Sequence, residues 1–202
     1  MPVWYSKRSS AMKVVAFNGS SRKSGNTRIL LEAVLKELER EGIETELISL
    51  AGQPLQGCAA CYRCWDNKDR RCVQDGDLLN AYLAKMIEAD GILLGSPVYF
   101  ADVSAAMKAL IERCGFVSRS NGDLFIRKVG ASVAAVRRAG SIHALDSMNH
   151  LFLHAQMIVA GSSYWNLGIG RDPGQVKDDE EGLKTMETLG KNMAWLLKKL
   201  HP

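Results

Sequence analysis

The chain has 202 residues, 47% of them hydrophobic and 24% charged, with 18 glycines and 5 prolines, a balance that fits one globular domain and excludes disordered or fibrous architectures. Its net charge of +4 comes from 26 basic and 22 acidic residues spread along the chain, without the Lys/Arg block or stripe that nucleic-acid binding requires. No run reaches the roughly 18 apolar residues of a membrane span and the N-terminus lacks a signal-peptide core, so a cytoplasmic protein with no nucleic-acid or membrane partner is expected.

Residues 1–11 read as an N-terminal extension, either a frayed end or a dimer arm built on Trp4 and Tyr5, ahead of a single domain at 12–202. The first strand is the continuous apolar run 12–17. A polar loop, Asn18-Gly19-Ser20-Ser21-Arg22-Lys23-Ser24-Gly25-Asn26-Thr27, leads into a helix whose stripe is Leu31, Val34, Leu35 and Leu38, spaced i, i+3, i+4, i+7. Gly42 stands where a helix-ending glycine belongs. Residues 43–50 alternate between apolar and polar, the pattern of a strand nearer an edge with one wet face.

Four cysteines, Cys58, Cys61, Cys64 and Cys72, then fall within a loop spanning 57–76. Leu79, Tyr82, Leu83 and Met86 mark the next helix, 91–95 the third strand, and Ser96-Pro97-Val98-Tyr99-Phe100 the loop that leaves it. A helical stripe at Met107, Leu110, Ile111 and Cys114 precedes the fourth strand, 129–136, and the loop Arg137-Arg138-Ala139-Gly140-Ser141. Leu145, Met148 and Phe152 mark a fourth helix, with His143, Ser147, His150 and His154 on its opposite face; that face is read as solvent or subunit contact rather than a metal site. Residues 157–160 form the fifth strand, Tyr164 and Trp165 follow it, and a stripe from Leu183 to Leu200 closes the chain.

Strict alternation of strands and helices gives a doubly wound α/β fold, because each crossover between parallel strands is right-handed and long enough to hold a helix. Five parallel strands favour the flavodoxin-like order 2-1-3-4-5, with ligands bound beyond the carboxyl ends of the strands. The loops after the first, third and fourth strands should therefore converge.

The first of these loops sits between a strand and a helix start, where open main-chain N–H groups and the positive end of the helix dipole bind a phosphate. Its spacing matches neither GxGxxG nor GxxxxGK[ST], so a dinucleotide or ATPase loop is not indicated. The cysteines form CxxCxxCx7C, and four thiols so close suit an iron–sulfur cluster or tetrahedral zinc, although zinc sites more often use two separated CxxC pairs. Cys114, on an apolar stripe, is a buried small residue.

GSSRKSGNT together with GSPVYF resembles the NADPH-dependent FMN reductase family of flavodoxin-like proteins. The resemblance implies that Ser20, Arg22, Asn26 and Thr27 hold the FMN phosphate, with Ser24 at a more variable position, and that Ser96, Pro97, Val98, Tyr99 and Phe100 line the isoalloxazine ring. In the third loop it points to Arg138 and Gly140. Two departures stand out: Ser21 occupies a position where the family often has Pro, and the third loop has one glycine rather than several. The cysteine motif resembles the iron–sulfur flavoprotein subgroup, which implies a [4Fe-4S] cluster on Cys58, Cys61, Cys64 and Cys72 beside FMN. The implied activity is an oxidoreductase passing electrons from NAD(P)H through FMN to a second acceptor. The alternative is an electron carrier or redox sensor working with ferredoxin-like partners. A homodimer or homotetramer is implied in either case.

Overall fold

The computed structural model describes residues 11–201, so the N-terminal extension with its Trp4–Tyr5 arm lies outside the described residues. The first strand lies one residue later than the expected 12–17: β1 runs Lys13–Asn18, followed by α1 (Asn26–Arg40) and β2 (Glu44–Ser49). The chain continues through α2 (Arg63–Asn67), α3 (Leu79–Glu88), β3 (Gly91–Pro97), α4 (Ala105–Ser120), β4 (Val129–Val136) and α5 (Ser141–His154). It ends with β5 (Ile158–Val159), β6 (Leu167–Ile169), a 3-10 turn at Gln175–Asp178 and α6 (Glu180–Leu200).

The strands lie in the order β2-β1-β3-β4-β5, all pairs parallel. Successive residues of β1 face opposite ways, so Val14 and Ala16 pack with α1 and α6 while Val15 and Phe17 pack with α3, α4 and α5. Both faces of the sheet are thus covered, which is why the inner strands read as unbroken apolar runs. β2, at the edge, is only half-buried, in keeping with its alternating sequence. Gly42 takes φ +77°, and the Ile43 N–H returns to the Leu38 carbonyl at 3.1 Å, closing α1 as the glycine promised.

The fifth strand position is built in two pieces. β5 pairs with Val129–Gly130 at one end of β4, and β6 pairs with Ala134–Val136 at the other. Residues 161–166 bulge outward between them, leaving Tyr164 and Trp165 exposed. Among the described residues no helix is long and apolar enough to cross a membrane.

Candidate functional site

At the carboxyl end of β1 the loop folds back on itself. Gly19 N–H donates to the Gly95 carbonyl at 2.7 Å, fixing the loop to the end of β3. Ser20 N–H donates to Asn18 Oδ1 at 3.1 Å, Arg22 N–H to Ser20 Oγ at 3.1 Å, and Gly25 N–H to the Arg22 carbonyl at 3.3 Å. The main-chain N–H groups of Ser21, Lys23, Ser24, Asn26 and Thr27 donate to no acceptor among the described residues. Gly25, the N-cap of α1, offers no side-chain cap. Asn26 and Thr27 thus open a 15-residue helix with unbonded N–H groups, and three more lie in the loop just before it, so free donors gather at the positive end of the helix dipole, which suits a phosphate dianion. Thr27 is buried, and its hydroxyl makes no bond within the described residues. Arg22, Lys23 and Ser24 are exposed at the rim.

Asn26 behaves differently from what its place in the motif suggests. Its Nδ2 donates to the carbonyls of Gly170 and Asp172, both at 3.0 Å, and its Oδ1 accepts from the N–H groups of Gly174 and Val176 at 2.9 and 3.4 Å. All four bonding positions of the amide are used, so at this position only the main-chain N–H is left unbonded among the described residues. Asn18, which the sequence did not single out, is fully buried, with Oδ1 holding Ser20 and Nδ2 lacking any partner.

The loop after β3 is a two-residue turn. Tyr99 and Asp102 exchange main-chain bonds of 2.8 and 3.1 Å, and between them Phe100 and Ala101 take φ of +47° and +65°. That turn normally carries Asn-Gly; forcing Phe-Ala into it costs roughly 1–2 kcal/mol per residue. Strained backbone of this kind gathers at ligand sites. Phe100 is 107% exposed and Tyr99 42%, so these aromatics do not pack into the core above α4. Tyr99 Oη instead lies 3.0 Å from Ser21 Oγ, joining the turn to the loop after β1. Ser96 is buried: its hydroxyl donates to the Pro97 carbonyl at 2.8 Å and accepts the Ser104 N–H at 2.9 Å, fixing the loop's root. Pro97 and Val98 are half-buried, and Val98 N–H donates to the Ala135 carbonyl at 3.0 Å.

Gly140 brings the third loop against this turn. It takes φ +90°, and a Cβ there would meet Ala101 Cα and Val98 Cγ1 at 3.0 Å. Arg137 and Arg138 are exposed, and neither makes a bond within the described residues. Asp102 ties the turn to α5: Oδ1 accepts Ser147 Oγ–H at 2.7 Å, and Oδ2 lies 3.6 Å from His143 Nε2. Burial pushes this carboxyl up, but the bonds from Ser147 and the Val103 N–H outweigh it and hold it below its ordinary range. The histidine face is thus not merely a solvent face at its first turn, while His150 and His154 are exposed.

The cysteine loop forms a second centre over α4. Cys58, Cys61, Cys64 and Cys72 line one cavity together with Tyr62, Arg113 and Phe116. Four non-glycine residues in this loop, Ala60, Tyr62, Lys68 and Arg70, have φ between 49° and 62°, again a cluster of backbone strain. Side chains from the helices hold it: Glu112 Oε2 accepts the Cys58 N–H at 3.3 Å, and Asn80 clasps both main-chain groups of Cys72, at 2.8 and 2.9 Å. Asn121 Oδ1 accepts the Arg70 N–H at 2.9 Å. The short helix α2 takes up the long last interval of the motif, so Cys72 returns to the same cavity as the other three. Among the described residues no three His, Cys, Asp or Glu side chains gather closely enough to hold a single metal ion. Cys114 is fully buried and its thiol is pushed upward by burial, in keeping with a core role.

The model for NADPH-dependent FMN reductases matches residues 12–172. An iron–sulfur flavoprotein of Methanocaldococcus jannaschii is 40% identical over 199 residues, covering 93% of this chain and 98% of its own length. Another, from Methanosarcina thermophila, is 31% identical and covers 93% and 96%. Among solved structures, RosB with bound 8-demethyl-8-formylriboflavin-5′-phosphate superposes with a TM-score of 0.75 at 22% identity, over 94% of this chain and 80% of that one. A flavodoxin from the domain Archaea gives a TM-score of 0.61 at 20% identity, covering 93% and 99%. The fold is flavodoxin-like, and the chain belongs to the NADPH-dependent FMN reductase family of flavoprotein oxidoreductases, with iron–sulfur flavoproteins as its relatives over nearly its whole length.

Proposed function

We propose that the chain binds FMN across the loops after β1, β3 and β4, and works as an oxidoreductase taking electrons from NAD(P)H and passing them to a second acceptor. The observation that carries this reading is the start of α1, with the loop before it, beside the strained Tyr99–Asp102 turn: an anion cradle with five free N–H donors next to exposed aromatic rings. FMN carries both a phosphate and a flat ring, and the residues present fit both. Bound FMN supplies acceptance of a hydride and release of electrons one at a time. The chain's own residues bind and orient. The main chain of 21–27, with Thr27 and Arg22, holds the phosphate; Tyr99 and Phe100 wall the ring; Gly140 lets the third loop close over it. The name of RosB's ligand, a riboflavin 5′-phosphate derivative, supports an FMN-sized occupant in this fold.

The second centre adds to the reading. Four cysteines round one cavity, in a single compact motif rather than two separated CxxC pairs, suit a cluster with an iron for each thiolate. The relatives' name, iron–sulfur flavoprotein, supports a [4Fe-4S] cluster here. Its exposed position, with Cys61, Tyr62 and Trp65 at the surface, favours electron exchange with a protein of the ferredoxin kind as the second reading. Assembly as a dimer or tetramer belongs to the same proposal.

An absorbance spectrum of anaerobically purified protein, with iron and acid-labile sulfide assays, tests both cofactors together. Flavin bands with about four irons per chain are expected from the proposed cluster; a colourless protein overturns the FMN assignment, and a yellow, iron-free one overturns the cluster. Mixing with NADPH or NADH under anaerobic conditions then separates the readings. Rapid bleaching of the flavin supports the NAD(P)H oxidoreductase, and bleaching only by reduced ferredoxin supports the carrier.

A further inference from the structure

Arg113 lies on α4, 1% exposed, beneath the cysteine loop. A guanidinium has five N–H donors and stays charged inside a protein, and here all five are engaged. Nε and one Nη2 hydrogen donate to Cys72 Sγ, each at 3.4 Å. Nη1 donates to the Gln56 carbonyl at 3.3 Å and to Asp77 Oδ2, and the second Nη2 hydrogen to the Gln74 carbonyl. Gln56 and Gln74 stand on either side of the four cysteines in the chain, so one side chain closes the loop's base and also aims a forked pair of donors at a cysteine sulfur. Asp77 is the counter-charge, 5% exposed at its side chain.

A buried cation is retained only when paired, and a loop could be closed with neutral groups at lower desolvation cost. What a neutral group could not supply is positive charge directed at sulfur. Reduction of a thiolate-ligated cluster by one electron adds one negative charge, and N–H donors on the ligating sulfurs favour that reduced form. We propose that Arg113 is a positioning residue for the group held by the four cysteines, raising its reduction potential through Cys72, with Asp77 as the opposing charge that limits the rise. The proposal rests on the reading that these cysteines hold an iron–sulfur cluster.

The test uses the full chain prepared anaerobically, with iron and sulfide measured first. Iron-free wild-type protein defeats the cluster reading before any variant is made, and the role of Arg113 falls with it. With iron present, the cluster midpoint is measured by titration with dithionite and redox mediators, followed by absorbance and electron paramagnetic resonance. Arg113→Lys keeps a charge but loses the forked donors, and its midpoint should move lower. Asp77→Asn keeps the fork and removes the counter-charge, and its midpoint should move higher. A purely structural role does not produce shifts of opposite sign. With iron at the wild-type level in both variants, any other combination overturns the proposal. If Arg113→Lys loses its iron, Asp77→Asn decides alone: a raised midpoint supports the proposal, and an unchanged or lowered one overturns it.

Discussion

Asn26 spends its side chain on main-chain groups 144 to 150 residues away, although its neighbours in the motif face the anion cradle. Removing an amide that satisfies two part-buried carbonyls and two N–H groups should cost roughly 1–3 kcal/mol. Asn26→Ala is therefore expected to lower the denaturation midpoint of the flavin-free protein sharply, while Thr27→Ala should weaken FMN binding with a smaller stability loss; chemical denaturation and flavin fluorescence titration measure the two effects. Asp77 gives a pH signature. Burial pushes its carboxyl up, but bonds from Arg113 and from the Leu79 and Gln56 N–H groups outweigh this and hold it below its ordinary value. A depressed folded value means that the stabilisation is full above the unfolded value of about 3.9 and is lost as pH falls through the lower folded one. The gap in melting temperature between wild type and Asp77→Asn should accordingly be widest above about pH 4 and shrink below it. A gap that is constant with pH would show that the carboxylate charge contributes nothing there.

Among the elements, the turn Tyr99–Asp102 and the loop at Gly140 are set against each other and act as one unit. Gly140→Ala places a Cβ at 3.0 Å from Ala101 Cα in a backbone conformation that only glycine adopts freely. The variant should lose roughly 1–2 kcal/mol of stability and, because the displaced turn carries Tyr99 and Phe100, several-fold in FMN affinity; an isothermal titration with FMN checks the second effect. Gly95 plays a packing role by comparison, since a Cβ there would strike the Leu31 side chain at 2.8 Å. The five long helices and the inner strands were readable in the chain because apolar periodicity is a local property of burial, whereas the short α2 inside the cysteine loop was not. The split of the fifth strand into β5 and β6 was not, because two or three residues on each side of an excursion carry no periodicity. The turn was seen as an aromatic segment, but its positive φ values and its contact with Gly140 depend on loops 40 residues apart.

For the molecule as a whole, the two centres share α4. Ser104 caps its start, holding Ser96 at the root of the loop after β3 and Gly19, while Glu112 and Arg113 hold the cysteine loop farther along. An uncapped α1 and strained turns are sources of instability that a bound ligand offsets, so FMN at about 100 times its Kd should stabilise the fold by about 2.7 kcal/mol. A thermal melt with and without FMN should show the rise, and Arg22→Ala should reduce it at equal FMN concentration. The sequence by itself determined the doubly wound order, the three converging loops and the grouping of four cysteines, because alternation, loop position and motif spacing are written in consecutive residues. Tertiary structure alone decided that Asn26 is a clasp, that Phe100 stands clear of the core, and that Asp102 is joined to α5 by Ser147. It also decided that Arg113, which no sequence pattern singled out, holds Cys72. Each of these depends on a partner 41 or more residues distant or on burial from several elements at once, and no local pattern records where a buried polar group finds its partner.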